Sequence, residues 1–504
     1  MGFVIVTFVT TVTTILLSLC LASLRCTTFN ARTVGKFFIT LLSGIVGWCC
    51  ILYFFNPSHE THRFLMSKHG APYIWGETVI FEPANLFKPT SLEELQVIVH
   101  NSRKCRVIGS GHSFSPLVQT DEDLIDICHL KGIIRDDGTH ITAWAGSTIE
   151  DVQLYLTQRG RTLHGFGSIH SQTLAGGLST SLVGIQPVGF SSQCTWAQTV
   201  NANGDIVEWA DTYFLRNSMG LLGIITQLQF KTYPNFWTTH IVKRMSLDSL
   251  LYSWKNTHAA AIDSATTMKK IRADALVVTT ISTRQNMTKP TEYPKYWTQT
   301  NYILYDMILT PISFFISEHF HFMLEMSIYP RDTETALLGF DMKQFGQTYT
   351  DYVIPLENCS KALREMAQRS RYDTLVRIKY LSEYNMSCLD VTQSPSCRIE
   401  AYAGQHHKGI YNDIEKYQAI AVKYNGFVHW GKIYMGNIQQ QMQRFKCFDA
   451  FKTLQTLHDP TRKFVNAFLN GSATKYTTYT PTYARVYAGL FLFALFVVSV
   501  FTNY

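Results

Sequence analysis

The stretch Arg106-Val107-Ile108-Gly109-Ser110-Gly111-His112-Ser113-Phe114-Ser115-Pro116 says more about this chain than any other. A short strand-like run, Arg106 to Ile108, enters a loop with two glycines separated by one serine. A histidine and two more serines follow. Glycines let a backbone turn tightly and expose its N–H groups. Successive exposed N–H groups form an anion-binding nest. The loop therefore suits a pyrophosphate. It does not fit the dinucleotide fingerprint G-x-G-x-x-G, and no second strand–helix unit follows as that pattern requires. On turn chemistry alone, a tight β-turn with a surface histidine explains the same residues.

Around this loop the chain alternates short helix and strand patterns. A helix is expected over Glu93–Asn101, where Leu95, Val97 and Ile98 follow a start signal at Pro89. Arg106–Ile108 and Ile141–Trp144 read as strands. Thr148–Arg159 reads as a helix, with Ile149, Val152, Leu154 and Tyr155 near helical spacing and Gly160 as its stop. Asn203-Gly204, between Ala197–Val200 and Ile206–Trp209, signals a hairpin. Beyond about Asn235 the chain becomes more aromatic and poorer in glycine, which marks a second domain.

At 504 residues the chain exceeds one ordinary core, and two domains are expected. Its net charge of +7 is mild, and no basic run is interleaved with aromatics, so nucleic acid is not an expected partner. Three uncharged apolar stretches stand apart: Phe3 to Leu24, Phe37 to Phe55 and Val486 to Phe501. A bilayer span takes roughly 20 apolar residues, so membrane association is expected. For the first stretch, a cleaved signal peptide is the alternative; for the last, a buried core helix. Arg25, Arg32 and Lys36 lie between the first two stretches without an acid, which places that loop in the cytosol and the large domain in the lumen of the endoplasmic reticulum. Sequons at Asn286, Asn358, Asn385 and Asn470 agree with a lumenal domain. Of eleven cysteines, Cys20, Cys26, Cys49 and Cys50 lie in or beside the apolar stretches. The other seven show no zinc-type spacing, and no metal is expected. Cys388 and Cys397 bracket a short polar loop and either pair with each other or remain free.

From about Ala71 to Pro234 the chain resembles the flavin-binding domain of the vanillyl-alcohol oxidase superfamily, and most of all its sugar-lactone branch: gulonolactone, galactonolactone and arabinonolactone oxidases. The resemblance runs through Ile74-Trp75-Gly76, Pro89-Thr90-Ser91-Leu92-Glu93-Glu94-Leu95, the Gly109–Ser113 loop and Ala145-Gly146. It continues through Gly167-Ser168-Ile169, Gln172-Thr173-Leu174-Ala175-Gly176-Gly177 and Gly220-Leu221-Leu222-Gly223-Ile224-Ile225-Thr226. Far downstream, His429-Trp430-Gly431-Lys432 is similar to the branch's His-Trp-x-Lys motif, and Phe322-Met323-Leu324-Glu325-Met326 to its Glu-Met-Glu segment. The implied fold is α+β: a two-subdomain FAD-binding PCMH-type domain over 71–234 and an α+β cap over 235–480. A linker at 56–70 and membrane segments at 1–55 and 486–501 complete the organisation.

The resemblance implies FAD, bonded covalently through His112 to the 8α-methyl carbon of the ring. It implies that Arg106, Ile108, Gly109, Ser110, Gly111, Ser113, Gly167, Ser168, Ile169, Thr173, Ala175, Gly176, Gly177, Ser179, Gly223 and Ile224 hold the cofactor. Where the family continues Ser-Thr-Gly-Thr-His-Gly, this chain has Ser179-Thr180-Ser181-Leu182-Val183-Gly184. At the substrate end, Lys432 matches a lysine that stabilises negative charge on the reduced ring. Arg377 looks like the arginine of a Glu-x-Arg strand, which puts Leu375 where the family has a glutamate that orients or deprotonates the substrate hydroxyl. Glu325 and His429 are the candidates to replace it. The implied activity is oxidation of an aldono-1,4-lactone at its C2 hydroxyl, with O2 or another electron acceptor. The rivals are the same fold acting on a sterol or other alcohol, and a degenerate flavin fold kept for binding.

Overall fold

The computed structural model describes residues 78–79, 81–167, 170–184, 188–235, 347–369, 375–382, 384–404, 410–474 and 476, together with 237–246, 249, 252, 263–269, 276–285 and 328–329. All of them fall in one compact unit, Phe64–Tyr293 with Ser313–Tyr504. The three apolar stretches, the linker at 56–70 and the Trp75 motif lie outside the described residues. Among the described residues, no helix is long and apolar enough to cross a membrane.

The first half is built on two sheets. Strands β1 (Asn85–Phe87), β2 (Cys105–Ile108) and β3 (Asp123–Asp126) pair in parallel in the order β1-β3-β2. Next come β4 (Ile133–Asp136), β5 (His140–Trp144), β6 (Arg161–Thr162), β7 (Cys194–Val200), β8 (Ile206–Trp209), β9 (Ile224–Lys231) and β10 (Tyr233–Pro234). Five of these form an antiparallel sheet in the order β4-β5-β9-β7-β8, and β6 pairs with β10. The hairpin expected around Asn203-Gly204 is β7–β8, with Gly204 at φ +90° in its turn.

Helix α1 (Leu92–Asn101) joins β1 to β2. It starts where Ser91 accepts from the Glu94 N–H while the Glu94 carboxylate takes the Thr90 N–H. Helix α2 (Ile149–Thr157) begins with a capping box between Thr148 and Asp151, and Gly160 at φ +68° turns the chain out of it. Helix α3 (Leu174–Ser179) is short and lies against the cavity described below.

The second half is an eight-stranded sheet with helices packed on it. Its strands are β11 (Trp237–Ser246), β12 (Asp263–Lys269), β13 (Leu276–Gln285), β14 (Ile328–Tyr329), β15 (Gln347–Pro355), β16 (Leu375–Leu381), β17 (Ser396–Gly404) and β18 (Phe427–Val428). The order is β14-β11-β13-β12-β16-β17-β15-β18. Helices α4 (Leu356–Arg369) and α5 (Ile410–Lys423) pack against β15, and α6 (Ile438–Met442) and α7 (Phe448–His458) follow β18. The two halves share one continuous apolar core, from Leu95, Ile125, Phe190 and Phe230 to Tyr352, Ile399, Trp430 and Phe464. An α+β fold is what this arrangement amounts to.

The cysteine pairing differs from the sequence expectation. Cys388 and Cys397 are both oxidised, but not with each other: Cys359 pairs with Cys397 and Cys388 with Cys447. Strand pairing decides this, because Cys397 on β17 faces the start of α4 rather than the turn that precedes it.

Candidate active site

A cavity of about 1430 Å³, part of it open to solvent, runs between the two halves of this unit. One wall is the β2 loop, α3 and the start of β9. The other is β16, β17 and the segment after β18.

The Gly-rich loop is shaped by its neighbours. A Cβ on Gly109 would fall 2.1 Å from Thr173 Oγ1, and Gly111 has φ +67°, so both positions demand glycine. The loop is tied to the downstream motif by two bonds: the Phe114 N–H donates to Gly431 O (2.8 Å), and Ser115 Oγ donates to Trp430 O (2.8 Å). Two motifs far apart in sequence thus build one site. His112 lies buried at the cavity wall with Nε2 2.9 Å from Ser171 Oγ. Gln172 Oε1, buried in the same wall, has no protein partner. Backbone held bare by glycines fits a phosphate-bearing cofactor such as FAD, and the unpaired Gln172 oxygen fits one of that cofactor's hydroxyl or N–H donors.

The opposite wall is charged. Glu400 Oε1 lies 2.5 Å from Lys379 Nζ and 3.6 Å from Arg398 Nε. Arg398 in turn donates through Nε (2.6 Å) and Nη2 to Asp351 Oδ2. All four side chains are buried. Lys432 Nζ sits 5.0 Å from the centre of the Phe114 ring. Burial pushes the Lys432 ammonium down to about 7, against the opposing pull of Asp351. His429 is buried with both ring nitrogens engaged: Nε2 on Ser181 O (2.9 Å) and Nδ1 on the Gly431 N–H (3.0 Å). Nδ1 is therefore the acceptor and Nε2 the donor of a neutral ring. Burial, then Arg398 and Lys432, hold its pKa well below the ordinary value.

Most of the expected residues converge on this cavity: Arg106, Ile108 to Ser113, Gly167, Thr173, Ala175, Gly176, Ser179, Gly223, His429 and Lys432. Two expected residues are absent from its lining. Gly177 faces the core, where a Cβ would press on Leu182 and Phe190 at 3.0–3.2 Å. Ile224 is fully buried, and Ile225 lines the cavity in its place, as strand alternation requires. Arg106 touches the cavity but serves the fold. Its three guanidinium nitrogens donate to Leu117 O, Phe464 O and Met219 O, and burial lowers its pKa to about 10, leaving it a cation.

Ser168, Ile169 and Glu325 lie outside the described residues. The backbone of Arg377 is on β16 in register with Glu400; its side chain lies outside the described residues. In the divergent 179–184 run, Thr180, Leu182 and Val183 give the cavity a largely apolar patch. Lys379, Arg398 and Glu400 were not foreseen. Their signal was present: Lys379 follows Arg377 by two, and Arg398-Ile399-Glu400 alternates charge with an apolar residue, as a paired row on a buried strand would.

Comparison with known proteins places this geometry. Residues 83–210 match the FAD binding domain family, and residues 228–472 match the D-arabinono-1,4-lactone oxidase family. An L-gulono-1,4-lactone dehydrogenase of Mycobacterium tuberculosis is 23% identical over 418 residues, covering 78% of this chain and 97% of that protein. The L-gulonolactone oxidase of Scyliorhinus torazame is 24% identical over 429 residues, 78% of this chain and 96% of its own. A D-arabinono-1,4-lactone oxidase of Eremothecium gossypii is 29% identical over 199 residues, 36% of this chain and 37% of that protein. Among solved structures, a cholesterol oxidase variant from Brevibacterium sterolicum superposes with a TM-score of 0.61 at 12% identity, covering 80% of this chain and 97% of that one. A xylooligosaccharide oxidase from Myceliophthora thermophila C1 gives 0.59 at 14%, with 84% and 97% covered. At such identities the solved structures speak for the fold alone. With the motifs, the cavity and these matches together, the chain carries an FAD binding domain followed by a region that matches the D-arabinono-1,4-lactone oxidase family; it is similar to sugar-lactone oxidases and is an FAD-dependent oxidoreductase.

Proposed function

We propose that this protein oxidises the C2 hydroxyl of an aldono-1,4-lactone, giving a 2-keto lactone that tautomerises to an ascorbate-type enediol. The observation that carries this is the charged wall facing the Gly-rich loop: Lys379, Arg398, Glu400 and Lys432 in one cavity. Such a wall offers donors and an acceptor to a small polyhydroxylated ring. A sterol would set apolar surface against those charges and take them further from water without adding a hydrogen-bond partner, which costs free energy.

FAD, when bound, supplies the two-electron acceptor. The protein supplies the rest. The glycines of the 109–113 loop and Gln172 hold the cofactor's polar portion. Lys432 presents a cation whose charge favours negative charge developing beside it. His429, locked as a neutral ring by Ser181 and Gly431, fixes the segment that carries Lys432. His112, a buried imidazole at the cavity wall, is the residue proposed to bond covalently to the ring. O2 or another acceptor completes the cycle.

Membrane anchoring through the terminal apolar stretches and a lumenal large domain form part of the same reading. The arginines and lysine at 25–36 support it, and so do two disulfides, which persist in oxidising compartments.

The test is anaerobic addition of gulono-, galactono- and arabinono-1,4-lactones to purified holoprotein, followed by acid precipitation of an untreated sample. Bleaching of the yellow colour by at least one lactone, and colour retained in the precipitate, are expected. No bleaching by any lactone would remove the substrate assignment. Colour released to the supernatant would remove the bond to His112 and leave the activity standing.

A further inference from the structure

We propose that Glu400, on β17, is the catalytic carboxylate of this protein: it accepts the hydrogen bond of the substrate hydroxyl and takes its proton. This rests on the alcohol-oxidation reading above and adds a residue to it.

Oxidation of an alcohol to a ketone breaks two bonds. The C–H bond breaks with its hydrogen and electron pair leaving to the bound flavin, the oxidant. The O–H bond breaks with its proton leaving to a base, and the C–O bond becomes C=O. The second event needs an acceptor within hydrogen-bond reach of the hydroxyl. Among the described residues lining the cavity, Glu400 is the one carboxylate. It is buried, and it is held between Lys379 and Arg398 at 2.5 and 3.6 Å. Arg398 is itself fixed by Asp351 beneath it. This chain of ion pairs, anchored on two paired strands rather than on a loop, orients the carboxylate.

His429, a second candidate base on that wall, is already committed. Both nitrogens of His429 are bonded within the protein.

Sheet register explains why the acid stands on this strand. β16 and β17 run antiparallel, with Arg377 opposite Glu400, Lys379 opposite Arg398 and Leu375 opposite Tyr402. Lys379 and Glu400 are therefore diagonal neighbours, close enough for long side chains to meet. An acid missing from β16 at Leu375 is replaced from the adjoining strand, with its counter-cation crossing back from β16.

The experiment compares Glu400→Gln with the unmodified holoprotein. The amide keeps the size and can still bind a hydroxyl, but it cannot take a proton. Expected are unchanged flavin content, a lactone dissociation constant within about threefold as read from the flavin's spectral shift, and anaerobic flavin reduction slower by roughly 10²–10⁴-fold. Glu400→Asp should recover part of the rate, which a purely structural role would not predict. Should Glu400→Gln fail to fold, Lys379→Gln/Glu400→Gln removes both members of the ion pair together and leaves no lone buried charge. A variant that folds and is reduced within about threefold of the parent rate overturns the proposal. So does one that loses lactone binding in proportion to rate, because Glu400 would then only bind. If the parent is reduced by another alcohol but by no lactone, the substrate reading fails, and Glu400 is judged by the same comparison on that alcohol.

Discussion

At the scale of single residues, Lys432 carries the clearest pH signature. Asp351 and Glu400 favour its charged form; Arg398, Lys379 and above all burial disfavour it, and His429 lies beside it as a neutral ring. With the pKa near 7 in the ligand-free protein, the ammonium is charged below that pH and is lost as pH rises through it. If the charge assists the oxidation, flavin reduction should slow as pH rises through about 7 or somewhat above, because bound negative charge would shift the limb upward. Lys432→Met should be slower by about 10²-fold, the scale of one lost electrostatic stabiliser, and should lack that alkaline limb. Stopped-flow reduction between neutral and alkaline pH decides it; a limb that survives in Lys432→Met belongs to another group. The thiols behave oppositely. Burial pushes Cys105 and Cys194 up to about 12, so both remain protonated and unreactive beside two oxidised pairs.

At the scale of elements, β17 is the most constrained strand of the site. Cys397, joined to Cys359 on α4, immediately precedes Arg398. Cys388, in the turn leading into β17, is joined to Cys447 at the start of α7. The bridges close loops with sequence separations of 38 and 59 residues. On the chain-entropy account each contributes about 4 kcal/mol. A Cys359→Ser/Cys397→Ser variant, or reduction of the native protein, should therefore lower the thermal unfolding temperature by several degrees. An unfolding curve that does not move with reductant would mean the pairs are not formed in the native protein. The helices needed less help from the rest of the fold. Ser91 with Glu94 and Thr148 with Asp151 are local caps, and the sequence placed both helices to within a residue or two of where they lie.

At the scale of the whole molecule, the proposed lumenal location makes a prediction about sugars. Asn385 and Asn470 are exposed. Asn358 is half-buried, donates from Nδ2 to Tyr424 O and precedes a disulfide-bonded cysteine. In secretory-pathway expression, glycosidase treatment should remove glycans from Asn385 and Asn470 and none from Asn358, with the chain staying in the membrane pellet after alkaline washing. A protein bare at both exposed sites would set the domain on the cytosolic side. The shared core and the bonds from the 109–116 loop to Trp430 and Gly431 mean that the two halves hold the cavity jointly. A fragment ending near Pro234 would therefore lose one wall of the cofactor site.

The sequence by itself determined what depends on neighbours along the chain: the glycines at 109 and 111, the caps of α1 and α2, the Asn203-Gly204 hairpin, and the order of motifs that marks a flavin-binding domain. These are short-range matters of φ, hydrogen-bond donors and side-chain size. Only the tertiary structure decided which strands pair and in what register, and so which charges meet. It turned Ile225 rather than Ile224 to the cavity, gave Cys397 to Cys359, and set Glu400 beside Lys379 where the sequence had pointed to an empty place at Leu375. A one-residue slip of a strand exchanges its two faces, and nothing local to β17 fixes that choice; its partners do.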